Sequence, residues 1–385
     1  MIRKTIFWAH LVSGVLAGLV IFMMSLTGVI LTYERQIENW FARADYLPVS
    51  QQTTQSLPIE SLLDLGLLSS PEFTPSSVVI TNDPGAPVSL NAGRSGSIEL
   101  NPYSGETMHT GNPSLEAFFS AVTGWHRWFN VSGENRANAR AITGISNLIF
   151  LFLILSGMYL WLPKIWRWSL FKARLLFIGK AANAQARDFN WHHVFGIWSA
   201  IPLVFIVATA TVFNYSWANN LVYQVFGEEA PQRDRGPAAA DNISYTTGAL
   251  TSHQRYMNLD ELVDSAKRIT EQELGHWQSI SMSLPSASDD VLNFSVNQSI
   301  GGQPHKQFNL SLDRSTGVLL SMSGLSDQSP GQRTRSIIRF LHTGEVLGFW
   351  GQTLAGLVSF ASLFMVWTGF ALAYRRLIQP WFRRN

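Results

Sequence analysis

Four long apolar stretches dominate the pattern of hydrophobic and polar residues along this chain. They cover residues 6–33, 139–163, 189–215 and 346–376. About 20 consecutive apolar residues cross the hydrocarbon of a bilayer, so each stretch is long enough for one membrane-spanning helix. The first stretch follows two basic residues, as a signal peptide does, but it is too long and no small-residue cleavage site precedes Tyr33. We therefore predict that it is a retained span.

Positive charges near the span ends predict the orientation of these helices. The connection between the second and third spans, residues 164–188, contains six Lys and Arg residues, and its single acid is Asp188. The N-terminus has Arg3 and Lys4, and the tail at 377–385 follows Arg375 and Arg376 and ends with Arg383 and Arg384. Because cytoplasmic segments are enriched in Lys and Arg, all three segments are predicted to be cytoplasmic. The long segments 34–138 and 216–345 would then lie on the other side of the membrane.

Both long polar segments show the same order of local patterns. Each begins with a helix-like stretch, residues 59–68 and 259–274, and continues with short strands of alternating polarity. Each then has a tight-turn sequence, N-P-Y-S-G-E at 101–106 and D-R-S-T-G-V at 313–318, while residues 227–252 are typical of a polar loop. The predicted fold is an integral membrane protein with a four-helix transmembrane bundle, two α+β modules and an internal two-fold repeat.

The composition supports this class and restricts the chemistry. Charged residues make up 14% of the chain, whereas soluble domains have about 25%. The formal net charge of +2 gives no reason to expect nucleic acid as a partner. The chain has no cysteine, which excludes disulfides, zinc–thiolate sites, thiolate-bound iron–sulfur clusters and covalent haem attachment. Any redox cofactor must therefore be held by nitrogen or oxygen ligands, or without ligation.

Histidines recur at matching places in the two halves. The first span reads H-L-V-S-G from His10 to Gly14, and the third reads H-H-V-F-G from His192 to Gly196. His126 and His342 each lie upstream of the next span, which ends in both halves with a hydroxyl residue followed by glycine. An ionisable side chain at membrane depth is a functional hypothesis by default. The repeat predicts one pair of imidazoles at each end of the bundle.

Two neutral imidazoles that face each other across helices are the ligand set of a six-coordinate haem iron. The predicted iron ligands are therefore His10 with His192, and His126 with His342. Gly14 and Gly196 lie one helical turn from a ligand and would leave room for the flat ring. His193 is the alternative to His192, and a proton relay or a structural role is the alternative to haem. The candidates to neutralise haem propionates are Arg127, Arg140, Arg335 and Arg339.

The chain resembles the PepSY-associated transmembrane family. The turn from Asp313 to Gly317 is similar to the D-x-x-T-G turn of that family, and Asn101 to Gly105 is a variant of it. The H-x-x-x-G opening of two spans and the F-L-H-T-G-E segment around His342 are also similar. Within the family the chain looks closest to inner-membrane siderophore reductases of the ferrioxamine-reductase (FoxB) type. That resemblance implies two haem b groups, a Gram-negative inner membrane, and reduction of ferric hydroxamate siderophores in the periplasm with release of Fe(II).

These observations lead to a functional hypothesis with two rivals. A cytoplasmic or membrane electron donor would reduce one haem, and the electron would reach ferric siderophore through the other. No G-x-G-x-x-G sequence follows a predicted strand, so direct binding of NAD(P)H or flavin is not expected. One rival is a non-redox protein whose soluble modules regulate periplasmic peptidases. The other is a permease that moves the intact siderophore.

Overall fold

The computed structural model describes residues 1–52, 55–93, 96–165, 167–231, 256–286 and 288–382. Arg383, Arg384 and residues 232–252 of the predicted polar loop lie outside this part of the chain. The described chain divides into two compact units. The bundle unit comprises Met1–Glu34, Ser114–Ala230 and Thr334–Asn385, and the sheet unit comprises Arg35–Pro113 and Pro231–Arg333.

Twelve α-helices are formed within the described residues. In chain order they are α1 (Ile2–Ile30), α2 (Glu34–Ala44), α3 (Ile59–Ser69), α4 (Pro113–Trp128), α5 (Asn135–Trp161), α6 (Trp168–Leu175), α7 (Ala184–Asn214), α8 (Ser216–Gln224), α9 (Leu259–Leu274), α10 (Pro330–Leu341), α11 (Gly348–Leu377) and α12 (Gln379–Phe382). By length and composition, four helical segments can cross a membrane, and they contain α1, α5, α7 and α11. The prediction of four apolar spanning helices is confirmed.

The four long helices pack as a bundle in which α1 and α7 each lie against both α5 and α11. Their outward faces are apolar: Leu16 is 75% exposed and Ile201 is 65% exposed. Hydroxyl side chains lie inside instead, and Ser362 and Thr368 are fully buried. Small and hydroxyl residues let membrane helices approach closely and bond to each other, so this polarity is the one expected for a bundle surrounded by lipid.

Asp188, the single acid of the basic connection, lies buried at the start of α7. Its Oδ2 accepts a hydrogen bond from Nη1 of Arg375 at 2.6 Å, and its Oδ1 accepts one from Nε of Arg187 at 2.9 Å. Asn190 binds the preceding connection, because its side-chain amide donates to the carbonyls of Ala173 and Leu176. These polar contacts hold the first turns of α7 in place, and His192 lies in the next turn of the same helix.

The sheet unit contains one antiparallel sheet built from both long polar segments. Its strands are β1 (Ser77–Thr81), β2 (Val88–Asn91), β3 (Ser97–Leu100), β4 (Thr107–Met108), β5 (Ser279–Ser283), β6 (Val291–Asn297), β7 (Gln307–Asp313) and β8 (Leu319–Ser323). The strand order is β4-β3-β2-β1-β5-β6-β7-β8. Strand β1 pairs with β5 over five residues, from Ser77 opposite Ser283 to Thr81 opposite Ser279. The two α+β segments are therefore joined through their first strands.

One face of this sheet carries the hydrophobic core. Side chains alternate between the two faces of a strand, so Leu292, Phe294 and Val296 of β6 point to the same side and are buried. Leu62 of α3 and Leu262 of α9 belong to the same core. The opposite face is rich in Ser and Asn at the paired positions of β1, β2, β5, β6 and β7. This alternation is the period-two pattern that the sequence showed.

Both predicted tight turns are formed by the same type of side-chain capping. Oδ1 of Asn101 accepts from the backbone N–H groups of Tyr103 and Ser104. Oδ1 of Asp313 accepts from the N–H groups of Ser315 and Thr316 and from the Thr316 hydroxyl. These hydrogen bonds to its charged form, led by those from Thr316, lower the pKa of Asp313.

Candidate functional site

The bundle contains two groups of imidazoles. The first imidazole cluster is His10 on α1 with His192 and His193 on α7, and all three line one cavity of about 910 Å³. The cavity is also lined by Gly14 and Gly196, which the sequence placed beside the ligands, and by Gly18. A methyl group at Gly18 would lie 2.6 Å from Cζ of Phe370, so the close fit at that position depends on glycine.

His10 is bound to the neighbouring helix α5. Its Nδ1 lies 2.8 Å from Oγ of Ser156. The next residue is Gly157, and a methyl group added there would lie 3.3 Å from Cε1 of His10. The hydroxyl and the glycine therefore act together, because one bonds the ring nitrogen and the other leaves space for the adjacent ring carbon.

His192 is held in the same way by α11. Its Nδ1 lies 3.0 Å from Oγ1 of Thr368 and 3.0 Å from the carbonyl oxygen of Met365. A methyl group at Gly369 would lie 3.5 Å from Cε1 of His192. His193 differs, because its Nδ1 lies 2.8 Å from the carbonyl oxygen of Phe189 on its own helix. Of the two adjacent histidines, His192 is the one bonded across helices by a hydroxyl followed by glycine.

Cationic side chains line the same cavity as the first cluster. They are Arg3, Lys4, Lys164, Arg174, Arg375 and Arg376. Some already have partners: Nη2 of Arg3 donates to the carbonyls of Leu160 and Leu162 at 2.7 Å, and Arg375 pairs with Asp188. In the sequence, these cations indicate only the orientation of the helices. That they also line one cavity depends on how the helices pack, and no local sequence pattern indicates it.

The second imidazole cluster is His126 in the last turn of α4 with His342 just after α10. Their ring centres are 6.2 Å apart, with an angle of 62° between the ring planes. A metal–imidazole bond of about 2 Å and a ring radius of about 1 Å place two rings on opposite sides of one metal ion about 6 Å apart, centre to centre. The observed spacing is consistent with that arrangement.

The same hydroxyl contacts occur in the second cluster. Nδ1 of His126 lies 2.9 Å from Oγ1 of Thr27 on α1, and a methyl group at Gly28 would lie 3.6 Å from its Cε1. Nδ1 of His342 lies 2.8 Å from the carbonyl oxygen of Ile206 and 3.4 Å from Oγ1 of Thr209 on α7. Each of the four long helices thus contributes one hydroxyl to one imidazole.

Unusual backbone geometry positions both histidines of the second cluster. Helix α4 ends at Trp128, two residues after His126, and the next residues, Phe129 and Asn130, have φ values of 55°, which is uncommon for residues other than glycine. His342 precedes Gly344, whose φ is +77°. A side chain at Gly344 would overlap the carbonyl oxygen of Gly351 in the first turn of α11. The turn after α10 can therefore lie against α11 only because both residues are glycine.

The arginines that were predicted to neutralise haem propionates make different contacts in the structure. Arg140 donates from Nη2 to the carbonyl of Phe213 at 2.9 Å, and Arg335 donates from Nε to Oδ1 of Asn219 at 2.8 Å. Arg339 lies over the ring of Phe340.

Arg127 and Arg136 both lie over the ring of Trp128. Burial, followed by the nearby charges of Arg140 and Arg136, lowers the pKa of Arg127. Arg136 was not among the sequence candidates, although its arginine neighbours at 127 and 140 make this a region of positive charge.

The donor set fits a porphyrin iron. Among the described residues, no three His, Asp or Glu side chains are grouped to hold a bare metal ion. A six-coordinate haem iron needs only two protein nitrogens, and a ligating imidazole usually bonds its second nitrogen to a hydrogen-bond acceptor. In His10, His126, His192 and His342, Nδ1 has such a partner and Nε2 is the nitrogen left for a ligand.

Comparison with known proteins gives one family. The sequence model described as the PepSY-associated TM region matches residues 7–376, which include all four long helices, both imidazole clusters and the sheet unit. No curated protein matches the chain at a significant level.

Proposed function

Because the chain belongs to the PepSY-associated transmembrane family, we propose that it binds two haem b groups and carries electrons across a bacterial inner membrane to ferric siderophore. The observation that carries the proposal is the grouping of four imidazoles into two clusters within the bundle unit. In each pair the imidazoles come from different segments of the chain, and each is bonded at Nδ1. Simple helix packing does not require that arrangement.

Bound haem would supply a one-electron iron couple in each cluster. The chain's own residues have three tasks. His10 with His192, and His126 with His342, would supply the nitrogens that hold the iron. Glycines beside the rings leave space for a flat group, and the lipid-facing apolar helices exclude water. Cationic side chains at the first cavity, and Arg127 with Arg136 at the second cluster, offset the carboxylates of a porphyrin.

The two clusters are far enough apart to serve both sides of a membrane. His10 and Thr27, which bonds His126, lie on the same helix α1. At a rise of about 1.5 Å per residue, they are about 25 Å apart along the axis. The hydrocarbon core of a bilayer is about 30 Å thick. Two sites at this separation cover most of the insulating layer.

The orientation follows from the distribution of positive charge. The basic connection at 164–188 supports a cytoplasmic position for the first cluster, where an electron donor of the cytoplasm or membrane would act. With this orientation the sheet unit is periplasmic. The strands follow the same order on both sides of the β1–β5 pair, which supports an internal two-fold repeat. In this proposal the protein is an oxidoreductase: one electron converts the Fe(III) of a siderophore to Fe(II), which hard oxygen ligands hold far less tightly.

The first test is the haem content of the purified chain. Protein from haem-supplied cells should carry two equivalents of haem b by the pyridine haemochrome assay, and its Soret band should shift on addition of dithionite. In vesicles with an internal reductant, ferric hydroxamate outside should yield Fe(II) outside, trapped by a colorimetric chelator. A colourless preparation contradicts the proposal. Accumulation of intact siderophore inside the vesicles would favour a permease instead.

A further inference from the structure

The hydroxyl beside each imidazole also lies within hydrogen-bond distance of a carbonyl oxygen in its own helix. Thr27 donates to the carbonyl of Met23 at 2.8 Å, Ser156 to Leu153 at 3.3 Å, Thr209 to Phe205 at 2.7 Å, and Thr368 to Phe364 at 2.6 Å. A hydroxyl has a single hydrogen, so a hydroxyl that donates to its helix carbonyl can only accept a hydrogen bond from the imidazole that faces it. In that arrangement Nδ1 carries the hydrogen of the imidazole.

The carbonyls inside the helices therefore favour one tautomer of the imidazoles without any bound ligand. A neutral imidazole has one N–H, so the lone pair lies on Nε2 when Nδ1 is protonated. For His192 and His342 the same result follows independently, because the carbonyls of Met365 and Ile206 can only accept. The Nδ1–H form is the one in which Nε2 is able to bind a metal.

The imidazoles differ in how strongly they depend on the hydroxyl. His192 has a carbonyl and a hydroxyl, both at 3.0 Å from Nδ1. His342 has a carbonyl at 2.8 Å, and the Thr209 hydroxyl is further away at 3.4 Å. Among the described residues, the hydrogen-bond partner of His10 is Ser156. Loss of the Ser156 hydroxyl therefore leaves His10 without a described acceptor, whereas loss of the Thr368 hydroxyl leaves His192 with one.

We propose that Ser156, Thr27, Thr209 and Thr368 are positioning residues that lock the imidazoles as Nδ1–H tautomers, and that the loss of Ser156 has a larger effect than the loss of Thr368. This inference rests on the proposed haem-binding function and adds to it a means of setting the reduction potential. An acceptor at Nδ1 makes the imidazole a more basic ligand, which favours Fe(III) over Fe(II). Removal of the acceptor should move the potential of that haem in the positive direction.

The decisive comparison is between two variants at the same haem. Ser156→Ala should raise the potential of the first haem in a spectroelectrochemical titration and weaken haem retention about 10- to 100-fold. Thr368→Val, which is isosteric, should change both quantities much less because the Met365 carbonyl remains. Ser156→Thr keeps the hydroxyl and should behave like the unmodified protein. Equal shifts in Ser156→Ala and Thr368→Val, or none in either, would overturn the inference.

A second readout separates this inference from the proposed function. In full-length protein labelled with ¹⁵N-histidine and prepared without haem, the four histidines should give the nitrogen shifts of Nδ1–H tautomers. If the protein never takes up haem, the functional proposal fails while this measurement still tests the hydroxyl contacts. Signals of Nε2–H tautomers for His10 and His126 would show that the hydroxyls do not position the rings.

Discussion

The imidazole rings of His126 and His342 lie 6.2 Å apart, centre to centre, although they come from opposite halves of the sequence. Neither ring is held by its own helix: one is bonded to Thr27 of α1, and the other to Ile206 of α7. The spanning helices therefore position side chains that are carried by segments outside them. The imidazoles come from segments beside the spanning helices, and the spanning helices supply their hydrogen-bond partners. A site can therefore be built at the end of a bundle whose interior is mostly small residues.

Removal of a single imidazole should remove one haem and leave the other. His126→Ala or His342→Ala should abolish the second haem, and His10→Ala or His192→Ala the first, because six-coordinate iron needs both ligands. Haem stoichiometry should fall from two equivalents to about one. His305→Ala, an exposed position in the sheet unit, is the control and should retain both haems. Full occupancy in all four variants would refute the ligand assignment.

The adjacent histidines of α7 should differ sharply. His192 is bonded to α11 through Thr368, whereas His193 is bonded within its own helix. His192→Ala should therefore lose the first haem, and His193→Ala should keep two equivalents with an unchanged reduced spectrum. The opposite result would identify His193 as the ligand and would shift the repeat register by one residue.

Gly344 should be essential for the position of His342. An alanine at its φ of +77° costs about 1–2 kcal/mol in the backbone, and its Cβ would also overlap the carbonyl oxygen of Gly351. We expect Gly344→Ala to lose the second haem and to keep the first, as measured by haem stoichiometry and potential. Gly179→Ala is the matched control, because a methyl group there meets no atom within 4 Å.

The ion pair between Asp188 and Arg375 should stabilise the bundle. Asp188 is 2% exposed and bonded to two guanidinium groups. Asp188→Asn removes the charge while it keeps the shape, and we expect a loss of about 2 kcal/mol in the free energy of unfolding. Thermal unfolding in detergent would show this loss as a lower midpoint temperature. Asp264→Asn, at an exposed carboxylate paired with Lys267, should leave the midpoint nearly unchanged.

A pair of carboxyl groups should make the sheet unit more stable in mild acid. Oδ2 of Asp260 accepts from the N–H of Ile59 at the start of α3, and Oε1 of Glu60 accepts from the N–H of Leu259 at the start of α9. Burial, and then the hydrogen-bonded and charged neighbour Glu60, raises the pKa of Asp260 to about 6, with Asp264 adding further repulsion.

The direction of this pH dependence follows from the difference in the pKa of Asp260 between the folded and unfolded chains. An unfolded aspartate has a pKa of about 3.9, so the folded protein binds the extra proton between about pH 4 and 6. Stability should be highest at the acidic end of that window and fall as the pH rises through about 6. Hydrogen exchange of peptides from α3 and α9 at several pH values, corrected for intrinsic rates, would measure this change in stability. Asp260→Asn should remove the pH dependence, and Asp264→Asn should only reduce it slightly, because Asp264 makes the smallest contribution to the raised pKa.

Local patterns were sufficient to predict much of this fold. Hydropathy predicted the four long helices, and the sequences around Asn101 and Asp313 predicted turns that the structure forms through their own side chains. The pairing of β1 with β5 had no such signal, because it joins segments far apart in sequence and depends on backbone hydrogen bonds. The sequence predicted two modules but did not indicate that they share one sheet.

The candidate site was predictable only in part for the same reason. The histidines were identified because they recur in register, and Ser156-Gly157 was noticed as a small hydroxyl pair. That Ser156 bonds His10 depends on how α5 packs against α1, which no spacing within one helix reveals. The cations around the first cavity and the burial of Asp188 likewise depend on where separate helices end.

The pairing of β1 with β5 has a consequence for the order of synthesis. Strand β1 is complete early, yet the neighbour on its open side is encoded about two hundred positions later. Until that neighbour emerges, the first four strands end in an unpaired edge, and such edges associate with other chains. The nascent protein must therefore keep this edge apart from other copies while two membrane helices and the rest of the chain up to β5 are still being made.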